Sequence, residues 1–154
     1  MIRLVETFKE FIDIASISQG SRAWTMYGAN PKTLSHSEKV SFPELGINSM
    51  RAKIDSGADG TSIHANDIKE KNGVLSFWIK SPNKVLEFKN FKKITVRNSS
   101  GSKQDRYQIT TLIKFDNFET KLKISLTNRE NMKFPCILGK NFIKSGKFTI
   151  DLNQ

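Results

Sequence analysis

Residues 50–65 have the sequence MRAKIDSGADGTSIHA, with Asp55-Ser56-Gly57-Ala58 at its centre. The apolar approach that ends at Ile54 predicts a strand, and the Asp, Ser and Gly that follow it predict a tight turn. Such a turn would hold the Asp55 carboxylate at its tip. Two carboxylates that meet share one proton, so that one activates a water while the other donates a proton to the substrate. The stretch therefore predicts that Asp55 is a catalytic carboxylate of a hydrolase that needs a second carboxylate. A plain Asp-Ser-Gly turn is the alternative.

The residues around this turn resemble a known family. Asp55-Ser56-Gly57-Ala58 is similar to the Asp-[Ser/Thr]-Gly-Ala signature of retropepsin-like aspartic proteases. Three stretches resemble, in the same order, the bacterial branch of these proteins that is often labelled ATP-dependent zinc proteases. They are PELGINSMRAKIDSGADGTSIHA (43–65), ITVRNSSG (94–101) and SLTNRENMKFPCILGKNFI (125–143). The resemblance covers residues 40–152 and leaves residues 1–39 outside it.

The resemblance implies that the protein is an aspartic endopeptidase with Asp55 as its catalytic residue. Because the Asp-Ser-Gly-Ala motif occurs once, the second carboxylate is expected from another copy, in a homodimer with a two-fold axis through the catalytic water. Ser56 would tie one loop to its mate, and Gly57 and Ala58 would leave room for the substrate backbone. The resemblance also places Leu138 and Gly139 against the catalytic loop, as its support. Asp59 and Asp67 are nearby acids, for which loop or cap roles are the simpler interpretation.

Retropepsin-like enzymes close a β-hairpin over the substrate. The candidate tip is Arg97-Asn98-Ser99-Ser100-Gly101-Ser102, flanked by Arg97 and Arg106. An arginine fork binds carboxylates bidentately, so two arginines near a cleft would favour an acidic peptide, whereas plain surface cations are the alternative. His64 also matches the family near the loop, as a site residue or a structural histidine. The predicted substrate-binding residues are Arg97, Ser99, Ser100, Arg106 and His64.

The charge of the chain agrees with an acidic partner. Lys+Arg 25 against Asp+Glu 15 gives a net charge of +10, and the whole surplus lies in residues 51–154. Relatives in the family are associated with a ligase that adds glutamates to a ribosomal protein, which implies a peptidase of glutamate-rich tails. The alternative is a noncatalytic basic β-domain that binds nucleic acid or serves dimerisation. The aromatic residues available to stack bases would be Phe77, Trp78, Phe88, Phe91 and Phe115.

The fold expected from the pattern is mainly β: a closed barrel or folded sheet with one short C-terminal helix at 140–145. The predicted strands are 50–55, 74–80, 84–89, 91–97, 106–115, 118–127 and 147–152. Apolar residues at helical spacing over Ile2–Ile17 predict an N-terminal amphipathic helix, and residues 18–41 have no period and predict a linker. The expected division is residues 1–39 as helix and linker, and residues 40–154 as the protease domain.

The residues do not support the cofactors in the family label. His36, His64 and Cys136 are far apart and lack zinc-ligand spacing, and no phosphate-binding loop motif is present, so neither metal nor nucleotide is expected. The single cysteine excludes an internal disulfide and favours the cytoplasm. Acidic and basic residues interrupt the apolar N-terminal stretch, which argues against a secretory signal, and no membrane span is predicted.

Overall fold

The computed structural model describes residues 32–153. The helix predicted over Ile2–Ile17 and the first part of the predicted linker lie outside these residues. A short 3-10 helix (Pro43–Leu45) and the α-helix α1 (Lys140–Ser145) accompany the strands. The strands are β1 (Thr33–Leu34), β2 (Ser37–Phe42), β3 (Ile47–Ile54), β4 (Thr61–His64), β5 (Asn66–Lys71), β6 (Val74–Ile79), β7 (Lys84–Phe88), β8 (Lys92–Arg97), β9 (Lys103–Phe115), β10 (Phe118–Thr127), β11 (Cys136–Leu138) and β12 (Thr149–Ile150).

Six strands close into a barrel. Their order is β10-β4-β11-β3-β2-β9, and β9 pairs back onto β10, while β8 extends the sheet beside β9. The strands β5, β6 and β7 form a separate antiparallel sheet, and β1 pairs with β12. The predicted mainly β fold, a closed barrel with one short C-terminal helix, is therefore confirmed for the described residues.

The longest antiparallel pair is the hairpin of β9 and β10, which the alternating sequence predicts. Asp116 occupies its turn with a φ of 51°, in the left-handed region that Asp and Asn tolerate best. Ile109, Ile113 and Ile124 are at most 1% exposed, whereas the intervening lysines of β10 are exposed. The period of two thus gives the hairpin one face for the barrel core and one polar face.

The short helix α1 is held on the barrel by Phe142. Its side chain is 0% exposed and packs edge-to-face against Phe115 and Phe118, at centroid distances of 6.2 and 6.1 Å. Burial of a phenylalanine stabilises by about 1.5–3 kcal/mol. Because α1 directly follows β11, this anchor fixes the end of β11 as well.

The 3-10 helix is fastened to the hairpin by Glu44. Its Oε1 accepts hydrogen bonds from the Leu112 N–H at 2.9 Å and from the Thr111 hydroxyl at 3.3 Å. Its Oε2 lies 3.1 Å from Lys121 Nζ. The Leu112 N–H and then Lys121 lower the pKa of the Glu44 carboxyl. The ionised carboxylate therefore joins a local turn to two strands that are distant in sequence.

The sequence interpretation was wrong for part of residues 18–41, because Thr33–Leu34 and Ser37–Phe42 are strands. The polar run Ser35–Lys39 hides the period of β2, which pairs with β3 and so helps to close the barrel. β4, β5 and β11 were also missed. Two of them are only 4 and 3 residues long, too short to show a period. The division of the chain at residue 40 stays a prediction, although β2 runs across it.

The chain divides by compactness into two units. Of the described residues, 32–33 and 147–149 belong to one unit, and 34–146 and 150–153 belong to the other. In the first, the hydroxyls of Thr33 and Thr149 lie 3.0 Å apart. The second contains the barrel, the three-stranded sheet and every residue of the candidate site.

Candidate active site

Asp55 lies at the start of a hydrogen-bonded turn. Its backbone N–H donates to the Leu138 carbonyl at 2.9 Å, which continues the parallel pairing of β3 with β11 by one residue. The turn closes when the Ala58 N–H donates to the Asp55 carbonyl at 3.2 Å. The carboxylate is oriented by the Gly57 N–H, which donates to Asp55 Oδ1 at 3.0 Å. Asp55 is thus fixed at both backbone and side chain.

The tip of this loop is open. Ser56 and Gly57 are exposed, whereas Asp55 and Ala58 are half-buried. A Cβ at Gly57 would lie 3.3 Å from Asp55 Oδ1, a contact so close that the carboxylate would have to shift. A glycine at position 57 therefore lets the turn fold back onto the Asp55 carboxylate without a steric clash.

The segment after β11 packs tightly under the loop. The Lys140 N–H donates to the Ala58 carbonyl at 2.7 Å, and the Asn141 N–H donates to the Asp59 carbonyl at 3.2 Å. A Cβ at Gly139 would lie 2.6 Å from the Ala58 oxygen and would also overlap the Gly60 carbonyl. Leu138 and Gly139 therefore adjoin the loop, and Gly139 lets the two backbones approach.

A network that the sequence analysis missed joins this segment to β4. Thr61, which is 2% exposed, donates through its hydroxyl to Asn141 Oδ1 at 2.8 Å and accepts from the Gly139 N–H at 3.3 Å. Asn141 Oδ1 also accepts from the Phe142 N–H at 2.9 Å, and Asn141 Nδ2 donates to the Lys123 carbonyl at 2.9 Å. No sequence signal connects Thr61 with Asn141, because 80 residues separate them.

The two nearby acids have other places. Asp59 is almost fully exposed, with a side-chain exposure of 97%, and its Oδ1 lies 3.4 Å from Lys140 Nζ. Asp67 is exposed in β5, with a φ of 51°. An exposed ion pair such as Asp59–Lys140 contributes little stability. The loop role expected for these acids fits Asp59, but it is wrong for Asp67, which lies within β5 where the register with β6 shifts between Asn66 and Lys69.

The predicted hairpin tip joins β8 to β9, as expected. Asn98 Oδ1 accepts from the Ser100 hydroxyl at 2.7 Å and from the N–H groups of Ser100 and Ser102 at 3.0 and 2.9 Å. Gly101 has a φ of 90°, a backbone conformation that residues with a side chain rarely adopt. Ser99 is exposed. Asn98, which was not predicted to have a role, therefore organises the turn.

Arg97 and Arg106 do not converge. In the ladder of β8 and β9, Arg97 pairs with Lys103 and Arg106 pairs with Ile94. Paired residues share a face, and positions 94 and 97 are three apart, so the two arginines lie on opposite faces of the hairpin. Arg97 is exposed and Arg106 is half-buried. The structure therefore does not bring together the two arginines predicted to act jointly.

Arg129 is a cation that the sequence analysis did not select. Its Nε donates to the Phe134 carbonyl at 2.9 Å. Burial lowers the pKa of Arg129, and electrostatic interactions with Cys136 and then with Asp55 partly oppose this effect. Burial likewise lowers the pKa of Arg106, and the charge of Arg129 lowers it further. Arg106 and Arg129 thus influence each other, and Arg129 also interacts with Asp55.

His64 is half-buried at the end of β4, and its Nδ1 accepts a hydrogen bond from the Arg129 N–H at 2.7 Å. This bond requires an unprotonated Nδ1, so the neutral ring carries its proton on Nε2. His64 therefore holds the start of the loop that carries Arg129.

The side chains considered for zinc do not fit a zinc site. Cys136 is fully buried, and burial raises the pKa of its thiol. His64 Nδ1 is occupied, and His36 packs edge-to-face on Phe134 at 6.1 Å. Within residues 32–153 no group of three or more His, Cys, Asp or Glu is placed to hold a metal ion.

The aromatic residues considered for base stacking mostly pack within the protein. Phe77 and Phe115 are buried, and Phe77 stacks on Phe88 at 5.8 Å. Phe91 packs edge-to-face on Tyr107 at 5.8 Å.

In the described part of the chain, no helix combines the length and hydrophobicity needed to cross a membrane.

Comparison with solved structures supports the fold. A Legionella pneumophila protein described as having unknown function superposes with a TM-score of 0.64 and 25% sequence identity. The similarity covers 81% of this chain and 96% of that one. The barrel and its additions are therefore shared over nearly the whole of that protein.

Two curated relatives are described as probable alpha-L-glutamate ligases. The one from Desulfotalea psychrophila is 31% identical over 119 residues, which are 71% of this chain and 26% of that protein. The one from Shewanella pealeana is 30% identical over 127 residues, which are 76% of this chain and 28% of that protein. The chain thus spans about a quarter of the length of the curated relatives it matches.

A family model described as RimB-like, retropepsin-like aspartic endopeptidase RimB, matches residues 33–153. The match includes the Asp55 loop, the β8–β9 hairpin and the segment from β11 through α1. The chain belongs to the RimB-like family of retropepsin-like aspartic endopeptidases.

Proposed function

We propose that the protein is an aspartic endopeptidase in which Asp55 from two copies of the chain forms the catalytic dyad. The observation that carries this proposal is the Asp55 carboxylate itself. One oxygen accepts the Gly57 N–H, while Oδ2 accepts no hydrogen bond from residues 32–153. The carboxylate is thus oriented by the backbone and still has an oxygen for a water or for a second acid.

The dyad would divide the chemistry between two chemically identical groups. Two carboxylates in contact do not both ionise, so the pair holds one proton. The ionised Asp55 removes a proton from the water as it attacks the peptide carbonyl, and the protonated Asp55 donates to the carbonyl oxygen. The exposure of Ser56 and Gly57 supports a contact between two loop tips across a two-fold axis.

We further propose that the substrate is an acidic, glutamate-rich polypeptide. The net charge of +10 would attract such a chain. The relatives named probable alpha-L-glutamate ligases contain a region similar to this chain that makes up 26% and 28% of their length. A ligase acts opposite to a peptidase, so we assign the ligase reaction to the remainder of those proteins and hydrolysis to the shared region.

The test compares wild-type protein with Asp55→Asn on poly-L-glutamate and on a neutral peptide of equal length. We expect wild-type protein to cleave the acidic peptide preferentially and Asp55→Asn to cleave neither. Asp59→Asn, a matched loss of a carboxylate four positions away, should retain activity. Retained hydrolysis in Asp55→Asn would exclude the proposed catalytic role, and equal cleavage of both peptides would exclude the acidic preference.

A mixing experiment tests the shared dyad. Adding excess Asp55→Asn to wild-type protein should lower the activity per wild-type chain, since mixed dimers have one carboxylate. Unchanged activity, or full activity in a strictly monomeric protein by sedimentation, would argue against a dyad between two chains.

A further inference from the structure

Two half-buried arginines, of which Arg129 interacts with Asp55, have no acidic partner among the described residues. Arg106 and Arg129 lie at the same end of the paired part of the β9–β10 hairpin. Tyr107 pairs with Leu126 at this end, Arg106 comes directly before Tyr107, and Arg129 comes two residues after Thr127, the last residue of β10. Neither forms an ion pair with a carboxylate of residues 32–153. Partly buried charges are normally paired, so this end of the hairpin has a local excess of positive charge.

Both side chains are held in place by other hydrogen bonds. Arg129 Nε donates to the Phe134 carbonyl at 2.9 Å, and Arg106 Nε donates to Gln104 Oε1 at 2.7 Å. Arg106 Nη1 lies 3.4 Å from Ser125 Oγ, while the Nη atoms of Arg129 donate to no acceptor in the described chain. Each guanidinium is therefore anchored through Nε and retains N–H groups for another ligand.

The energetics favour an anion between them. Burial and then the charge of Arg129 lower the pKa of Arg106, and the second effect is repulsion between the two guanidiniums. A carboxylate between them would replace this repulsion with charge-assisted hydrogen bonds, and guanidinium forks match carboxylates in shape. The Asp55 carboxylate interacts with Arg129 but does not ion-pair with it, so Asp55 does not fill the position.

We propose that Arg106 and Arg129 together form a subsite that binds a carboxylate side chain of the substrate beside the catalytic loop. This subsite rests on the proposed function only in taking the ligand to be a peptide substrate. It would select substrates with a glutamate or aspartate near the cleaved bond. It assigns Arg129, rather than Arg97, as the partner of Arg106.

Binding can be measured without cleavage, in an Asp55→Asn background. Fluorescently labelled hexaglutamate would be titrated with this protein and with the same protein carrying Arg106→Gln, Arg129→Gln, Arg129→Lys or Lys84→Gln. We expect each Arg→Gln change to weaken binding on the order of tenfold, since each removes charge-assisted hydrogen bonds. Arg129→Lys keeps the charge but loses the fork, so it should fall between wild type and Arg129→Gln. Lys84→Gln removes an equal charge from the exposed end of β7 and should change affinity less than about twofold.

Three results would overturn the subsite. They are an equal loss in Lys84→Gln and Arg129→Gln, no preference for hexaglutamate over hexaglutamine, and stronger competition by a single-stranded oligonucleotide than by unlabelled hexaglutamate. Thermal unfolding of each variant shows whether it is folded, and Arg106→Gln tests the pair independently if Arg129→Gln does not fold. Because the assay contains no hydrolysis step, the subsite can be supported while the peptidase proposal fails, and the reverse also holds.

Discussion

Replacement of Thr61 by valine should weaken the support of the Asp55 loop by the segment after β11. The hydroxyl of Thr61 donates to Asn141 Oδ1 at 2.8 Å and accepts from the Gly139 N–H at 3.3 Å, in a side chain that is 2% exposed. Valine has nearly the same volume, so the change removes the hydroxyl without opening a cavity. Asn141 Oδ1 keeps the Phe142 N–H, but the buried Gly139 N–H loses its side-chain acceptor.

The magnitude follows from these two contacts. A net hydrogen bond is worth about 0.5–1.5 kcal/mol, and a buried donor left unpaired costs about 1–3 kcal/mol. We therefore expect Thr61→Val to lower the free energy of unfolding by about 2 kcal/mol. For a chain of this size that corresponds to a decrease in Tm of roughly 4–8 °C. The proposed peptidase activity, measured well below Tm, should fall further, since a small displacement of the Asp55 carboxylate would be costly if it is catalytic.

The assay is thermal and urea unfolding at one fixed protein concentration, because association would make Tm depend on concentration. Thr110→Val is the matched control: Thr110 is exposed on β9, so its replacement should change stability by less than about 0.5 kcal/mol. A double-mutant cycle with Asn141→Ala should give a coupling energy of about 0.5–3 kcal/mol. If Thr61→Val unfolds like Thr110→Val and the cycle shows no coupling, the hydrogen-bond network of Thr61 does not support the Asp55 loop.

Three further predictions concern other parts of the structure. Gly139→Ala should destabilise the protein by about 1–3 kcal/mol or more in a urea titration, because its methyl group would lie 2.6 Å from the Ala58 oxygen. Gly60→Ala is the control and should be near neutral, because a Cβ at Gly60 would have no atom within 4 Å. Equal effects of the two changes would contradict the close approach of the backbones at Gly139. Because hydrogen bonding to Leu112 and Lys121 depresses the pKa of Glu44 in the folded state, its stabilising contribution is present at neutral pH and is lost as the pH falls below about 4 and through that lowered value. The difference in Tm between wild type and Glu44→Gln should accordingly shrink from pH 7 to pH 3, and a constant difference would show that ionisation is not involved. Cys136 is 0% exposed and its thiol pKa is raised by burial, so iodoacetamide should modify it in denaturant and not in the native protein, whereas rapid native labelling would mean that β11 opens readily.

The fold could be predicted from the sequence where strands are long and alternate. β9 and β10 show their period over 13 and 10 residues, and the turn between them contains Asp116 in a conformation typical of its residue type. The short barrel strands β4 and β11 could not be recognised. A strand of three or four residues is too short to show an alternating pattern. It is stabilised by pairing with the neighbouring strands, so β4 and β11 form only when the barrel closes.

In the candidate site, too, the features set by neighbouring residues could be predicted from the sequence, and those set by strand register could not. Asp55 could be identified from four consecutive residues, because turn formation and the position of its carboxylate are local properties. The opposite orientation of Arg97 and Arg106 depends on the register of β8 with β9, which a one-residue shift would reverse. No spacing in the sequence indicates that Arg129 lies near Arg106 and Asp55, or that Thr61 contacts Asn141.

The amino-acid sequence by itself determined the turn that presents Asp55, the alternating hairpin, the basic character of the chain and the mainly β class, since each depends on neighbouring residues or on composition. Only the tertiary structure decided which cation interacts with Asp55 and which buried hydroxyl supports the segment under the Asp55 loop. The reason is that strand register and barrel closure bring together residues from distant parts of the chain, and neither leaves a local trace in the sequence.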